Sequence, residues 1–230
     1  KNDLEGLSKD IIIAAAETAN QKMNQAETDE EKEKYKDKYV FTPHRTSMYP
    51  FLTESARRDL REKLYNSYIF RGDNNNENDN KNIAAQIAKL RAEKASLMGY
   101  KTHAHFVLEE RMLKTPEEVF DLLIKLWKPA LNRAKLEVKD MQAVVDSEGH
   151  DFKIAAWDWW QYSEKVRKEK YDLDESAIKP YLSLDNALKG VFNTTNKLWG
   201  ITFTEIFDID LYHPDARIWE VNDKDGSHLG

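Results

Sequence analysis

The sequence of 230 residues has no cysteine, few helix-breaking residues and no long apolar run. Without cysteine, the chain has no disulfide bond, no thiolate ligand for a metal and no cysteine nucleophile. Its 8 glycines and 6 prolines are about half of the roughly 12% share that these residues have in an average protein, which favours long helices over a turn-rich β-sandwich. The longest apolar run covers residues 11–16, whereas a transmembrane helix needs about 20 residues.

The charge balance is mildly acidic, with 35 Lys and Arg residues against 41 Asp and Glu residues and a net charge of −6. Nucleic-acid binding relies on an excess of basic groups, so we expect no nucleic-acid partner. The short apolar runs likewise predict no membrane partner. No signal-peptide pattern is visible, and we expect a cytoplasmic protein. The periplasm stays open, because the lack of cysteine does not separate the two compartments.

Apolar residues recur at helical spacing along most of the chain and predict a mainly α-helical fold. The predicted helices cover residues 9–25, 55–71, 83–97, 115–145, 155–170 and 184–198. The clearest helix start is at Thr115, which is followed by Pro116 at the first helical position and by Glu118, which completes a capping box. The charged stretch 27–38 is predicted to be a connector or a frayed helix, and the polar stretch 73–82 a loop.

Short runs of β-forming residues predict a few strands in this helical chain. The predicted strands lie near residues 39–42, 201–206 and 217–223. The pair Asp225-Gly226 is typical of a hairpin turn, so a return strand is expected to begin near His228. Because the sequence stops there and begins with Lys1, we favour a piece of a longer protein over a natural C-terminal tail.

No group of residues in the sequence forms a self-contained active site. No two of the six histidines are four residues apart, so the H-E-x-x-H zinc helix is absent. His103 and His105 could share a metal on a strand, but on the predicted helix their side chains diverge, which makes metal binding the weaker interpretation. The loop 73–82 lacks the glycine and glutamate of a calcium loop. Adjacent Glu109 and Glu110 are typical of a solvated helix surface.

The most unusual stretch is Trp-Asp-Trp-Trp-Gln-Tyr at residues 157–162. Its four aromatic residues cover more than one face of a helix. We favour packing in a core or against another domain over direct contact with a substrate. The same stretch supports an alternative function, a noncatalytic helical module that binds a protein partner through Trp157, Trp159 and Trp160.

Short motifs spread over the whole chain occur in an order that carries a family resemblance. They are Leu4-Glu5-Gly6-Leu7, Arg58–Glu62 with Arg71-Gly72, Leu90–Tyr100, Ala104-His105, Arg111-Met112, Thr115-Pro116, Trp157–Tyr162, Tyr171–Glu175, Lys179–Leu184, Leu198–Phe203, Tyr212–Asp215, and Asp225-Gly226 with Leu229-Gly230. In this order they resemble the zinc metallopeptidases of the thimet oligopeptidase and bacterial peptidyl-dipeptidase family. Residues 157–175 are more similar to the peptidyl-dipeptidase branch.

The resemblance implies a multi-helix fragment of a two-lobed, nearly all-helical fold with a deep channel between the lobes. We expect residues 1–145 to form a helical region of the upper lobe. Residues 146–230 are expected to lead into the small sheet beside the cleft. The boundary is left open, with one compact unit as the alternative. Residues 218–226 are the part expected nearest to the rim of the active site.

The resemblance also implies the chemistry of the parent protein, a zinc-dependent hydrolysis of short unfolded peptides. The zinc helix H-E-F-G-H of the family, its third ligand and its substrate-holding Tyr and His residues follow the region seen here. We therefore assign no catalytic, cofactor-binding or metal-ligating residue to this chain, and we expect it to bind no zinc. The expected partner is the remaining catalytic lobe of the same polypeptide.

Overall fold

The computed structural model describes residues 2–171 and 175–230 and confirms the mainly α-helical fold. The helices are α1 (Lys9–Gln25), α2 (Asp29–Tyr35), α3 (Arg45–Glu54), α4 (Arg58–Ile69), α5 (Lys81–Leu97), α6 (His103–Leu108), α7 (Pro116–Ser147), α8 (Trp159–Tyr171), α9 (Glu175–Ile178) and α10 (Leu184–Trp199). Short 3-10 helices cover Ala156–Asp158 and Lys179–Tyr181, and the strands are β1 (Thr202–Ile206) and β2 (Ile218–Asn222).

The chain divides after residue 171 into two compact units. The assignment of residues 1–145 and 146–230 to separate regions of the family fold stays a prediction. Within the residues that the structure describes, no helix is both long and apolar enough to cross a membrane.

The first core of the larger unit consists of Met48, Phe51, Leu52 and Leu64. Three of these residues lie on α3, a helix that the apolar pattern did not indicate. Pro50 lies inside this helix. A proline in a helix interior removes a hydrogen bond and normally ends the helix. The sequence at this position therefore argues against the helix that the structure shows.

The strand predicted near residues 39–42 is wrong, because no strand lies beside this segment in the described part of the chain. Instead, the Val40 N–H donates to the Ala15 carbonyl of α1 at 3.0 Å. The ring of Phe41 lies 4.5 Å from that of Phe51 in the first core. The β-forming residues of this segment therefore pack on helices, which fits the view that β-propensity reports side-chain packing more than backbone pairing.

The second core of the larger unit joins the last turns of α7 to α8 through Met141, Val145 and Tyr162. The other end of α7 begins with the predicted capping box. Thr115 Oγ1 accepts a hydrogen bond from Glu118 N at 3.3 Å, and Glu118 Oε2 accepts one from Thr115 N at 3.1 Å. The start of this helix is thus set by local contacts and its end by tertiary packing.

The smaller unit combines α10 with an antiparallel pair of strands, β1 and β2, which confirms the strands predicted at 201–206 and 217–223. Phe203 pairs with Val221 across the two strands. The ring of Phe192 on α10 lies 4.3 Å from Phe203 and 5.6 Å from Trp219, so the helix packs on the sheet through aromatic side chains.

Glycine is required where α10 turns into β1. Gly200 has a φ of +80°, and a Cβ atom there would lie 2.8 Å from the Cβ of Lys224. At the predicted start of the return strand, Asn222 and His228 form an isolated antiparallel bridge. The Val221 N–H also donates to the Gly230 carbonyl at 2.8 Å, so the end of the chain adds to the outer side of β2.

Candidate functional site: the cluster around Asp158

The stretch of residues 157–162 contributes to both cores of the larger unit. Trp160 packs against the first core, whereas Trp159 and Tyr162 belong to the second. The 3-10 helix that precedes α8 places Asp158 between them, fully buried. This arrangement makes the stretch the connection between the two cores.

Two arginines of α4 converge on the buried Asp158 carboxylate. Arg58 Nε lies 3.1 Å from both carboxylate oxygens, and its Nη2 lies 3.0 Å from Oδ2. Arg61, which is 1% exposed, donates from Nη2 to Oδ1 at 2.8 Å. The Ala155 N–H completes the set at 3.1 Å from Oδ2. Both oxygens of this buried carboxylate are therefore taken up by hydrogen bonds from the chain itself.

Hydrogen bonds to a main-chain carbonyl tie this cluster of Asp158, Arg58 and Arg61, the buried node, to the turn before α4. The Ser55 carbonyl accepts hydrogen bonds from Arg61 Nη1 at 2.7 Å and from Gln161 Nε2 at 2.8 Å. Ser55 is itself fully buried. The turn between α3 and α4 is therefore held to α8 by side chains from both helices.

Aromatic rings surround the charged node. Tyr49 stacks on Trp160 at 5.4 Å, and Tyr65 lies 6.0 Å from Trp160 and 6.4 Å from Trp157. The Arg58 guanidinium lies 4.3 Å from the ring of Phe152, a cation–π contact. These contacts place the aromatic residues in intramolecular packing, which is the use we favoured for them.

A second polar cluster closes the gap between α7 and α8. Glu148 accepts hydrogen bonds from Tyr162 Oη at 3.2 Å and from Lys165 Nζ at 2.6 Å. Burial is the largest single influence and would raise the pKa of Glu148. The hydrogen bond and charge of Lys165, the hydrogen bond from Tyr162 and the nearby His150 together outweigh it and hold that pKa below its usual range. Burial first, and then the charge of Glu148, raise the pKa of Tyr162 to about 12. Tyr162 is therefore a neutral donor at physiological pH.

Comparison with known families shows to which family this chain belongs. The profile of Peptidase family M3 matches residues 51–230. This chain belongs to peptidase family M3. The matched range begins in α3 and includes the whole Asp158 node and the strand pair, so this M3 chain carries the family pattern through both compact units.

Curated relatives of the M3 chain include bacterial and plant peptidases. It is 38% identical over 227 residues to the dipeptidyl carboxypeptidase of Escherichia coli, which covers 98% of this chain and 32% of the relative. Identity to oligopeptidase A of Salmonella typhimurium is 30% over 196 residues, covering 84% and 29%. Organellar oligopeptidase A of Arabidopsis thaliana is 29% identical over 232 residues, covering 100% and 28%.

Two conclusions follow from these relatives. The M3 chain is more similar to the dipeptidyl carboxypeptidase than to either oligopeptidase A, in agreement with the branch indicated by its motifs. It also spans only about a third of the length of the curated relatives that it matches.

The histidines considered as metal ligands do not converge. His103 and His105 both lie on the short helix α6, and His105 Nδ1 lies 2.7 Å from Thr102 Oγ1. Among residues 2–171 and 175–230, no three His, Cys, Asp or Glu side chains are grouped so that they could hold a metal ion. The described residues thus do not fit a zinc site. The assignment of no catalytic or metal residue to this chain stays a prediction.

The other polar candidates are engaged with neighbours. Lys81 Nζ lies within 2.6–2.8 Å of oxygens of Asp73, Asn75 and Asp79, so a lysine ammonium occupies the centre of the polar loop. Glu109 accepts a hydrogen bond from the hydroxyl of Tyr100.

Sequence reasoning missed the pairing of α4 with Asp158. The available signal was a pair of arginines three residues apart, but nothing local indicates which of many acidic residues they would meet.

Proposed function

We propose that this chain is the scaffold portion of a zinc-dependent M3 peptidase that hydrolyses short unfolded peptides. The zinc ligands and the general base belong to the remaining catalytic lobe of the same polypeptide. The higher identity to dipeptidyl carboxypeptidase favours a peptidyl-dipeptidase over a general oligopeptidase. We place this enzyme in the cytoplasm, with the periplasm as the alternative.

The observation that carries the proposal is the bare first half of α7. Phe120, Leu123, Ile124, Leu126 and Trp127 are all more than half exposed. Neighbouring positions of a helix differ by about 100° in direction, so these five side chains fall within about 160° of the helix circumference and form one broad apolar face. Such a face of a helix normally packs against another element of the protein. The part of the M3 relatives that this chain does not span is the natural cover.

Further apolar surfaces support the same partner. On α5, Ile83 and Leu90 are exposed at a spacing of seven residues. On α10, Leu184, Val191 and Leu198 are exposed at the same spacing and form one stripe. Such stripes mark helix faces that pack on another element. In the proposed enzyme they contact the remaining lobe and contribute to the wall of the peptide channel.

The strand pair of the smaller unit is the part of the proposed scaffold nearest to the chemistry. Residues 218–226 form β2 and the turn that follows it, and the turn is held by a hydrogen bond from the Gly226 N–H to the Asp223 carbonyl at 2.9 Å. A small sheet braced in this way gives a rigid rim to a cleft. It supplies main-chain shape, whereas proton transfer and metal binding fall to groups outside the chain.

The decisive experiment reads the parent gene beyond the codon for Gly230. The proposal expects an H-E-x-x-H motif followed by a ligating Glu, and a stop codon at that point would contradict it. The full-length protein should then cleave an internally quenched peptide in a chelator-sensitive manner, and the 230-residue chain should not. Zinc-dependent turnover by the chain alone would refute the noncatalytic role.

A matched pair of variants tests the covering of α7. Trp127→Gln in the full-length protein should lower both thermal stability and peptide hydrolysis, because Trp127 is buried against the remaining lobe. Lys128→Gln introduces the same residue at the next position and should change neither by more than a small amount. Equal effects of the two variants would contradict the proposed cover.

A further inference from the structure

The larger unit contains a pocket of about 550 Å³ that belongs to neither of the clusters described above. Phe41, Phe51, Leu60 and Leu64 line it with apolar surface. These residues come from α3, α4 and the segment before α3, so the pocket opens beside the first core. Its volume lies within the range of about 300–1,000 Å³ that is typical of small-molecule sites.

The charged groups of the pocket favour an anion. Lys38 and Lys63 line it, and within the described part of the chain neither ammonium forms an ion pair. Two carboxylates, Asp3 and Asp37, also line it. Arg57 already pairs with Asp3, which leaves Asp37 as the free anion against two free cations. Charge complementarity therefore favours a ligand with one negative group.

We propose that this pocket binds a small apolar carboxylate. The aryl or alkyl body lies on the surface of Phe41, Phe51 and Leu64, and the carboxylate is held by Lys38 and Lys63. This chemistry has two sources, a free aryl or alkyl acid and the C-terminal apolar residue of a peptide. The proposal stands apart from the peptidase function, because it uses only residues of this chain and no zinc.

The test is a titration of the ¹⁵N-labelled chain with 3-phenylpropionate, followed by amide chemical shifts. The expected shifts centre on Tyr39, Phe41 and Leu64, with a dissociation constant of about 1 mM or lower for a ligand of this size. The alcohol 3-phenylpropanol has the same ring without the charge and should bind more weakly. Equal binding of the acid and the alcohol would overturn the role of the lysines.

Variants of the pocket separate a specific site from general apolar binding. Lys38→Gln and Lys63→Gln should each weaken binding about two- to fivefold, as expected for a partly exposed ion pair. Lys128→Gln, on the bare half of α7, should leave binding unchanged. Ser67→Phe places a ring at the lining of the pocket and should abolish binding. If Ser67→Phe does not fold, the two lysine variants decide the question.

The source of the ligand is distinguished by two tripeptides, Ala-Ala-Phe with a free carboxylate and the same peptide as an amide. Shifts at Phe41 that occur with the free-carboxylate tripeptide, but not with its amide, would assign the pocket to peptide C-termini. Binding of 3-phenylpropionate without the tripeptide would assign it to small acids. Both results support an apolar carboxylate site. Shifts centred on Leu126 and Trp127, or binding that survives Ser67→Phe in the folded variant, would overturn it.

Discussion

The two ends of α7 are parts of one helix with opposite surroundings. From Met141 to Ser147 the helix packs on α8 through fully buried Met141 and Val145. From Phe120 to Trp127 it carries equally apolar side chains that contact little. Helix propensity is similar at both ends, so the difference lies in tertiary partners alone. The same helix is thus packed in a core at one end and carries an exposed apolar face at the other.

The largest expected effect is at the packed end, in the buried node. Asp158→Asn should lower the free energy of unfolding by about 3–5 kcal/mol, because Arg61 keeps its buried charge without a counterion. Asp140→Asn removes the partner of Lys170 in a half-exposed pair and should cost about 0–1 kcal/mol. Urea denaturation of the 230-residue chain measures both. Similar losses would show that the node is no stronger than a surface pair.

The next effect compares the two ends of α7 directly. Met141→Ala should lower the free energy of unfolding by about 2–5 kcal/mol, because it leaves a cavity in the second core. Leu126→Ala, at an exposed position of the same helix, should change it by no more than about 0.5 kcal/mol in the 230-residue chain. In the full-length protein, Leu126→Ala should become as costly as Met141→Ala. If it stays neutral there, the bare end has no cover.

A smaller effect concerns the pH dependence of the packed end. The pKa of Tyr162 is raised to about 12, so the folded chain binds this proton more tightly than the unfolded chain. Its stabilising contribution is complete below pH 10 and is lost as the pH rises from 10 towards 12, by up to about 1.4 kcal/mol per pH unit.

Denaturant unfolding between pH 9 and 12 tests this contribution. Tyr162→Phe should flatten the decline above pH 10. Tyr171→Phe is the control, because Tyr171 is 71% exposed and should leave the decline unchanged. The same decline in both variants would contradict a special role for Tyr162.

The smallest effect is at the bare end. Thr115→Ala removes the cap of α7 and should cost the first turns about 1 kcal/mol of local helix stability. Because these turns contact no core, the global free energy of unfolding should change by no more than about 0.5 kcal/mol. Secondary ¹³C shifts of residues 116–122 report the local loss. A full loss of cooperativity instead would mean that the bare end is coupled to the core.

Local signals predicted much of the fold. The bounds of α1 match the predicted 9–25, and the capping box at Thr115 and the turn at Gly226 occur as expected. Each of these features depends on residues within four positions of one another. The helix containing Pro50 and the segment near Val40 were missed because tertiary packing overrides local preference there.

The buried node could not be predicted for the same reason. Arg61 and Asp158 are separated by 97 positions in the chain, and no local pattern couples them. The family resemblance includes both the motif that contains Arg61 and the motif that contains Asp158, but it does not pair the two residues. Which residues meet across that distance was visible only in the structure.

The most direct test is the hydrogen exchange of α7 in two contexts, the 230-residue chain and the full-length protein. Amides of residues 116–135 should exchange rapidly in the chain and become strongly protected in the full-length protein, while residues 141–147 should be protected in both. Equal exchange of residues 116–135 in the two contexts would contradict the claim that the rest of an M3 peptidase covers this surface.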